Sequence, residues 1–208
     1  MTQVKICGIT NLRDAEKALE FGADILGFNF YRQSPRYIDP TRAQAILEQL
    51  PGGSFGAALF VNEGPETVRQ VLRFGKVGKP ARRFGWLQFH GDEDAAYCRG
   101  WEVKVIKAFR LQDRRSLEGM LDFPADLYLL DSWSPGYGGS GAPFPWEWLE
   151  DVPADRIILS GGLSTENVVQ AIRRVRPYGV DVCSSVEARP GVKDHAKLKE
   201  FIVAAKRA

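Results

Sequence analysis

Eight times along this chain a short run rich in Val, Ile, Leu and Phe gives way to a stretch of helical periodicity, an alternation few folds can satisfy. The strand candidates are Val4–Cys7, Ile25–Phe30, Phe55–Val61, Phe84–Phe89, Val103–Phe109, Leu127–Asp131, Arg156–Ser160 and Val180–Cys183. Among the helix candidates, Asn11 caps a run to Phe21, and Asp39-Pro40 opens one that ends before Pro51-Gly52. Glu66–Phe74 follows Gly64-Pro65, and Glu93–Arg99 follows Asp92. Arg114–Leu121, which Gly119 interrupts, Pro145–Leu149, Thr165–Val175 and Asp194–Ala205 complete the set. Strands that are apolar at nearly every position are parallel strands covered on both faces. Spread over 208 residues, eight βα units receive about 26 residues each, near the lower limit for a closed barrel. An open sheet of this length more often carries fewer strands and longer helices. No GxGxxG follows the first strand to mark a dinucleotide-binding half. The expected fold is α/β, a single (β/α)8 TIM barrel over residues 1–208. No linker, low-complexity stretch or close repeat divides it.

The composition, 44% apolar and 26% charged, is that of a folded domain and not of a disordered chain. Its 28 basic and 26 acidic residues are mixed along the sequence, for a formal charge of +2. Nucleic-acid binding needs a basic block, and none is present. Three cysteines, Cys7, Cys98 and Cys183, form no CxxC pair, and only His90 and His195 could join them. That argues against a structural zinc site. The opening MTQVKICGIT lacks the apolar run of a signal peptide, and no run reaches the roughly 20 apolar residues of a membrane span. A reduced, cytoplasmic protein is the expectation.

In this fold the chemistry sits at the C-terminal ends of the strands. The first strand ends in Lys5-Ile6-Cys7-Gly8, and the period of two puts Lys5 and Cys7 on one face. If that face points inward, a thiol stands at the mouth with an ammonium one layer beneath. A nearby cation favours thiolate, although most free cysteines are simply small buried hydrophobes. Asp131 ends the apolar sixth strand, where a carboxyl group must be paired, used for chemistry or spent on capping a loop. Glycine-rich or small-residue turns follow three late strands: Gly138-Gly139-Ser140-Gly141, Ser160-Gly161-Gly162 and Cys183-Ser184-Ser185. Such turns aim backbone N–H groups at an anion, and phosphate sites in barrels use the loops after strands seven and eight. Arg36, after the second strand, suits a planar carboxylate, or is an ordinary surface arginine. His90, after the fourth strand, orients substrate or ties down its loop. His195 is expected at the surface. Trp133, Trp146 and Trp148 are expected to pack around the loop after strand six, with Trp133 nearest the pocket.

These positions carry a resemblance over nearly the whole chain. Lys5-Ile6-Cys7-Gly8-Ile9-Thr10, Gly27-Phe28, Ser34-Pro35-Arg36-Tyr37 and Phe60-Val61-Asn62-Glu63 come first. Gln88-Phe89-His90-Gly91-Asp92-Glu93, Leu130-Asp131 and Gly138-Gly139-Ser140-Gly141 follow. Leu159-Ser160-Gly161-Gly162-Leu163, Val186-Glu187 and Pro190-Gly191-Val192-Lys193-Asp194 close the series. In their order and spacing the chain is similar to phosphoribosylanthranilate isomerase of the tryptophan pathway. The resemblance implies a (β/α)8 barrel with no metal or organic cofactor, catalysing an Amadori rearrangement of a phosphosugar-anthranilate. It implies Asp131 as general acid, Cys7 as general base and Arg36 on the anthranilate carboxylate. His90 would bind substrate, and Gly139, Ser140, Gly141, Gly161, Gly162, Ser184 and Ser185 would hold phosphate. It leaves a monomer or a homodimer open.

Two departures stand out. The family's Ser-Ser-Gly before Val-Glu is here Cys183-Ser184-Ser185. The Cβ of Ser185 is expected either to strain a positive-φ turn, at about 1–2 kcal/mol, or to bring a hydroxyl to the phosphate. The segment Gly75–Arg83 is longer than the family's and is expected to be a solvated loop. Two rivals remain. The parallel isomerase of the histidine pathway usually carries an aspartate where Cys7 stands. A noncatalytic phosphosugar sensor would need neither Cys7 nor Asp131.

Overall fold

A computed structural model describes residues 1–52, 56–73, 84–134 and 143–208. Its centre is a closed, all-parallel barrel of eight strands in sequential order. They are β1 (Gln3–Ile6), β2 (Ile25–Asn29), β3 (Gly56–Phe60), β4 (Phe84–Phe89), β5 (Lys104–Leu111), β6 (Leu127–Ser132), β7 (Ile157–Leu159) and β8 (Gly179–Val182). Each lies within about two residues of its expected span. β8 pairs with β1 to close the ring, setting Lys5 opposite Asp181 and Ile6 opposite Val182.

Among the described residues, five α-helices surround the barrel: α1 (Leu12–Phe21), α2 (Pro40–Gln49), α3 (Pro65–Arg73), α4 (Val168–Val175) and α5 (His195–Arg207). Their boundaries follow from caps. The Asn11 side chain accepts the N–H of Asp14, and Gly22, at φ 106°, ends α1 in the left-handed region that glycine adopts freely. Asp39 caps α2 with Pro40 in its first turn, and Asp194 caps α5.

Among the described residues, the expectation of a helix after every strand fails between β4 and β7. Glu93 was to start a helix, but its carboxylate accepts N–H groups of Asn62 and Gly91 and the ammonium of Lys107. Only a single turn follows, capped by Asp94 and ended by Gly100 at φ 76°. Arg114–Leu121 splits into two 3-10 turns, Arg114–Leu117 and Met120–Asp122, because Gly119 takes φ 71° between them. Pro145–Leu149 shortens to a 3-10 turn at Trp146–Leu149. Aromatic side chains cover the barrel there: Phe89 with Tyr97 and Trp101, and Phe109 with Phe123 and Tyr128.

After β8 the chain makes a 3-10 turn at Ser184–Val186 and a small hairpin of β9 (Glu187–Arg189) and β10 (Val192–Lys193). The main core lies between barrel and outer layer, while Ile106, Ala108, Leu127, Leu129 and Ile158 form a separate cluster that fills the barrel's interior. Two expectations need correction. Trp133 is exposed and does not line the central cavity, whereas Trp146 is buried. His195 is only partly exposed, because its Nε2 lies 2.8 Å from the buried carboxylate of Asp14. The segment Gly75–Arg83 lies outside the described residues.

Candidate active site

A cavity of about 1020 Å³ opens at the C-terminal mouth of the barrel. Cys7, Arg36, His90, Asp131, Gly161, Gly162, Ser184 and Ser185 all line it, so the structure brings these expected site residues together. Gly139, Ser140 and Gly141 lie outside the described residues.

Cys7 is buried at the end of β1, with its backbone N–H donated to the Val182 carbonyl at 2.9 Å. Beneath it Lys5 is almost completely enclosed, and its Nζ lies 2.7 Å from Asp181 Oδ1. Burial pulls the Lys5 ammonium toward neutrality, but Asp181 and Cys7 outweigh that and keep it charged. The Cys7 thiol is drawn down to about 6, first by a hydrogen bond from Cys183 and then, against the effect of burial, by Lys5. Cys183 shifts the opposite way because Cys7 holds its proton on that sulfur.

Across the mouth, Asp131 Oδ1 accepts the Ser132 backbone N–H at 2.8 Å, and Oδ2 lies 3.3 Å from His90 Nε2. The other ring nitrogen of His90 is 2.9 Å from Gln88 Nε2. An amide N–H donated there leaves the imidazole proton on Nε2, facing Asp131. His90 lines the cavity, with its ring between Gln88 and Asp131. Gly161, at φ 76°, packs so tightly on β6 that a Cβ would overlap the Ser132 nitrogen and hydroxyl.

Arg36 does not stand alone. Its Nε lies 2.9 and 3.1 Å from the two Glu187 oxygens, and its Nη2 2.7 Å from one of them. Glu187 in turn receives the Lys193 ammonium and the Gly191 N–H, both at 3.2 Å. Burial disfavours charge on Glu187, yet Arg36 and Lys193 hold its carboxyl below the ordinary range. Glu187 and Lys193 stood in quoted motifs without a role, and Asp181 and Cys183 were missed as site residues. The period of two that joins Lys5 to Cys7 joins Asp181 to Cys183 on β8 just as well.

The turn after β8 corrects the reading of Ser185. Its φ is not positive, so no left-handed strain exists, and its hydroxyl donates to the Leu163 carbonyl at 2.6 Å. On the facing loop Asn167 accepts the Ser164 N–H and donates to the Gly162 carbonyl, both at 2.9 Å. Gly161 and Gly162 both take positive φ, at 76° and 64°. Among the described residues, no three His, Cys, Asp or Glu side chains gather as a metal ion would need, and no helix is long and apolar enough to cross a membrane.

The whole chain is similar to known proteins. The chain is 48% identical to N-(5'-phosphoribosyl)anthranilate isomerase of Trichlorobacter lovleyi, with 100% of both chains covered. The crystal structure of phosphoribosyl anthranilate isomerase from Thermotoga maritima superposes with a TM-score of 0.90 at 44% identity, covering 100% of both chains. A phosphoribosyl anthranilate isomerase in complex with reduced 1-(o-carboxyphenylamino)-1-deoxyribulose 5-phosphate gives a TM-score of 0.86 at 41% identity, again with 100% of both chains covered. Residues 4–204 match the family described as N-(5'phosphoribosyl)anthranilate (PRA) isomerase. With the closed barrel and the full-length similarity in agreement, the chain belongs to the N-(5'-phosphoribosyl)anthranilate isomerase family.

Proposed function

We propose that Cys7 and Asp131 divide the proton transfers of this chain's reaction between them, as general base and general acid. The reaction is the isomerisation of N-(5'-phosphoribosyl)anthranilate to 1-(2-carboxyphenylamino)-1-deoxyribulose 5-phosphate, an Amadori rearrangement of tryptophan biosynthesis. One observation carries the division of roles: a thiol disposed to ionise and a carboxyl group line one cavity from β1 and β6, which do not adjoin in the ring.

Asp131 gives a proton to the ribose ring oxygen, the C1–O bond breaks and an iminium forms at C1. The Cys7 thiolate removes the proton from C2, leaving an enolamine that tautomerises to the aminoketone. His90 holds Asp131 at the cavity wall through its Nε2–H. Glu187 occupies the Nε side of Arg36, which fixes the guanidinium and leaves the Nη1–Nη2 edge for the anthranilate carboxylate. Phosphate is taken by the turns at Gly161-Gly162 and Ser184-Ser185, and by the Gly139-Ser140-Gly141 segment. Binding this remote group sets the sugar's orientation, and its energy lowers the barrier at C1 and C2. The same reading makes the protein a cytoplasmic enzyme of one domain, monomer or homodimer, acting on a small phosphosugar.

Turnover followed through the anthranilate fluorescence tests this. Cys7→Ala and Asp131→Ala should each lose about 10²–10⁴-fold in kcat. Undiminished turnover in either variant overturns the assignment.

A further inference from the structure

We propose that the thiols of Cys7 and Cys183 form a reversible oxidation site for hydroperoxides, closing to a disulfide across the β1–β8 seam. The backbone places them for it. β1 and β8 pair in parallel with Ile6 opposite Val182, and the Cys7 N–H continues the ladder to the Val182 carbonyl at 2.9 Å. The next step sets Cys7 beside Cys183. Two residues earlier, on the same face of the sheet, Lys5 and Asp181 already meet at 2.7 Å inside the barrel. Neighbouring strands stand about 4.8 Å apart, within the ~4.4–6.8 Å that disulfides span between Cα atoms.

The side chains agree with the backbone. Cys183 packs against the cluster of Cys7, Leu59 and Val61, and both cysteines line the cavity, so a small oxidant reaches them. Glycines clear the space around them: a Cβ on Gly8 would stand 3.0 Å from the Cys183 sulfur, and one on Gly27 3.0 Å from that of Cys7.

The chemistry balances with one hydroperoxide. The Cys7 thiolate attacks the outer peroxide oxygen, the O–O bond breaks, and the departing oxygen takes a proton to leave as water or alcohol. Cys7 is now a sulfenic acid. The Cys183 sulfur attacks it, the S–S bond forms, and hydroxide leaves as water with the Cys183 proton. Two electrons pass from the sulfurs to the peroxide, and a dithiol reverses the bond by exchange. Cys98 takes no part, being buried elsewhere with its thiol pushed up to about 11 by burial.

The consequence for turnover rests on Cys7 being the base, whereas formation of the bond does not. The test treats the intact protein with near-stoichiometric hydrogen peroxide, blocks free thiols, and maps non-reduced peptides by mass spectrometry. The expected result joins the Cys7 and Cys183 peptides, lowers the free thiols from three to one, and reduces turnover at least about 100-fold until dithiothreitol restores it. Cys98→Ser should give the same link. Cys183→Ser should give none, and its Cys7 should pass on to forms dithiothreitol does not reverse. An oxidised Cys7 beside a free Cys183 thiol, or a link through Cys98, overturns the proposal. A Cys7–Cys183 link with turnover intact upholds the oxidation site and overturns Cys7 as base.

Discussion

The Cys7 thiol is drawn below its ordinary value, chiefly by Cys183 and then by Lys5 beneath it, against the burial that opposes charge. On the acid side kcat/KM should therefore fall about tenfold per pH unit below a bend near 6. An acid limb placed instead near the ordinary thiol value of about 8.5 would contradict the thiolate base. Stability follows the same sign. A depressed thiol stabilises the fold fully above its ordinary value, and that contribution fades as pH falls through about 6. Lys5→Met should move the acid limb to higher pH and, by stranding the buried Asp181 carboxylate, destabilise the barrel by about 3–5 kcal/mol. Adding Asp181→Asn should recover part of that loss in urea titrations, and no recovery would show that the pair is not what holds the layer. Lys5 and Cys7 were readable together because two residues on one strand share a face. Asp181 was not, because its partnership with Lys5 spans 176 positions and appears only once the ring closes.

The turns after β7 and β8 behave as one element, tied by the Ser185 hydroxyl on the Leu163 carbonyl. Ser185→Gly should therefore destabilise by about 1 kcal/mol, through the lost hydrogen bond and the added backbone freedom, and should raise KM through a looser phosphate site. A stabilised variant would instead mean that serine is strained there. Gly161→Ala is the severe change in this element, because the new Cβ would push against the β6 backbone beside Asp131. Loss of kcat together with about 3 kcal/mol or more of stability is expected. All eight strands were legible as elements because their apolar runs need no partner to be recognised. Helices were legible where a cap and a full periodic face coincide, as at Asn11 and Asp39. Tyr97, Cys98 and Trp101 imitate such a face. Their segment stops after a turn because Glu93 serves Asn62, Gly91 and Lys107, a use that local sequence does not display.

For the molecule as a whole, the β1–β8 seam is where the ring joins its first strand to its last, and the chain's two ends clasp each other there. Lys206 at the end of α5 reaches Asp24 Oδ2 at 2.5 Å and the Thr2 carbonyl at 3.2 Å, while the same Asp24 oxygen accepts the Val4 N–H at 2.6 Å. Asp14 on α1 accepts the Lys193 N–H at 2.8 Å and faces His195. Beneath these polar ties, Leu198, Phe201 and Ile202 of α5 are completely buried in the core. At about 1.5–3 kcal/mol for each such side chain, removing α5 forfeits roughly 5–9 kcal/mol. A domain's entire margin is only about 5–15 kcal/mol. Because the seam also carries Lys5, Cys7, Asp181 and Cys183, loss of closure takes the site with it. A chain ending at Asp194 should thus show neither a cooperative urea transition nor turnover, although every cavity-lining residue remains in it. A cooperative transition in that shortened chain, measured by circular dichroism, would mean that the barrel closes without its last helix and that the clasp is dispensable.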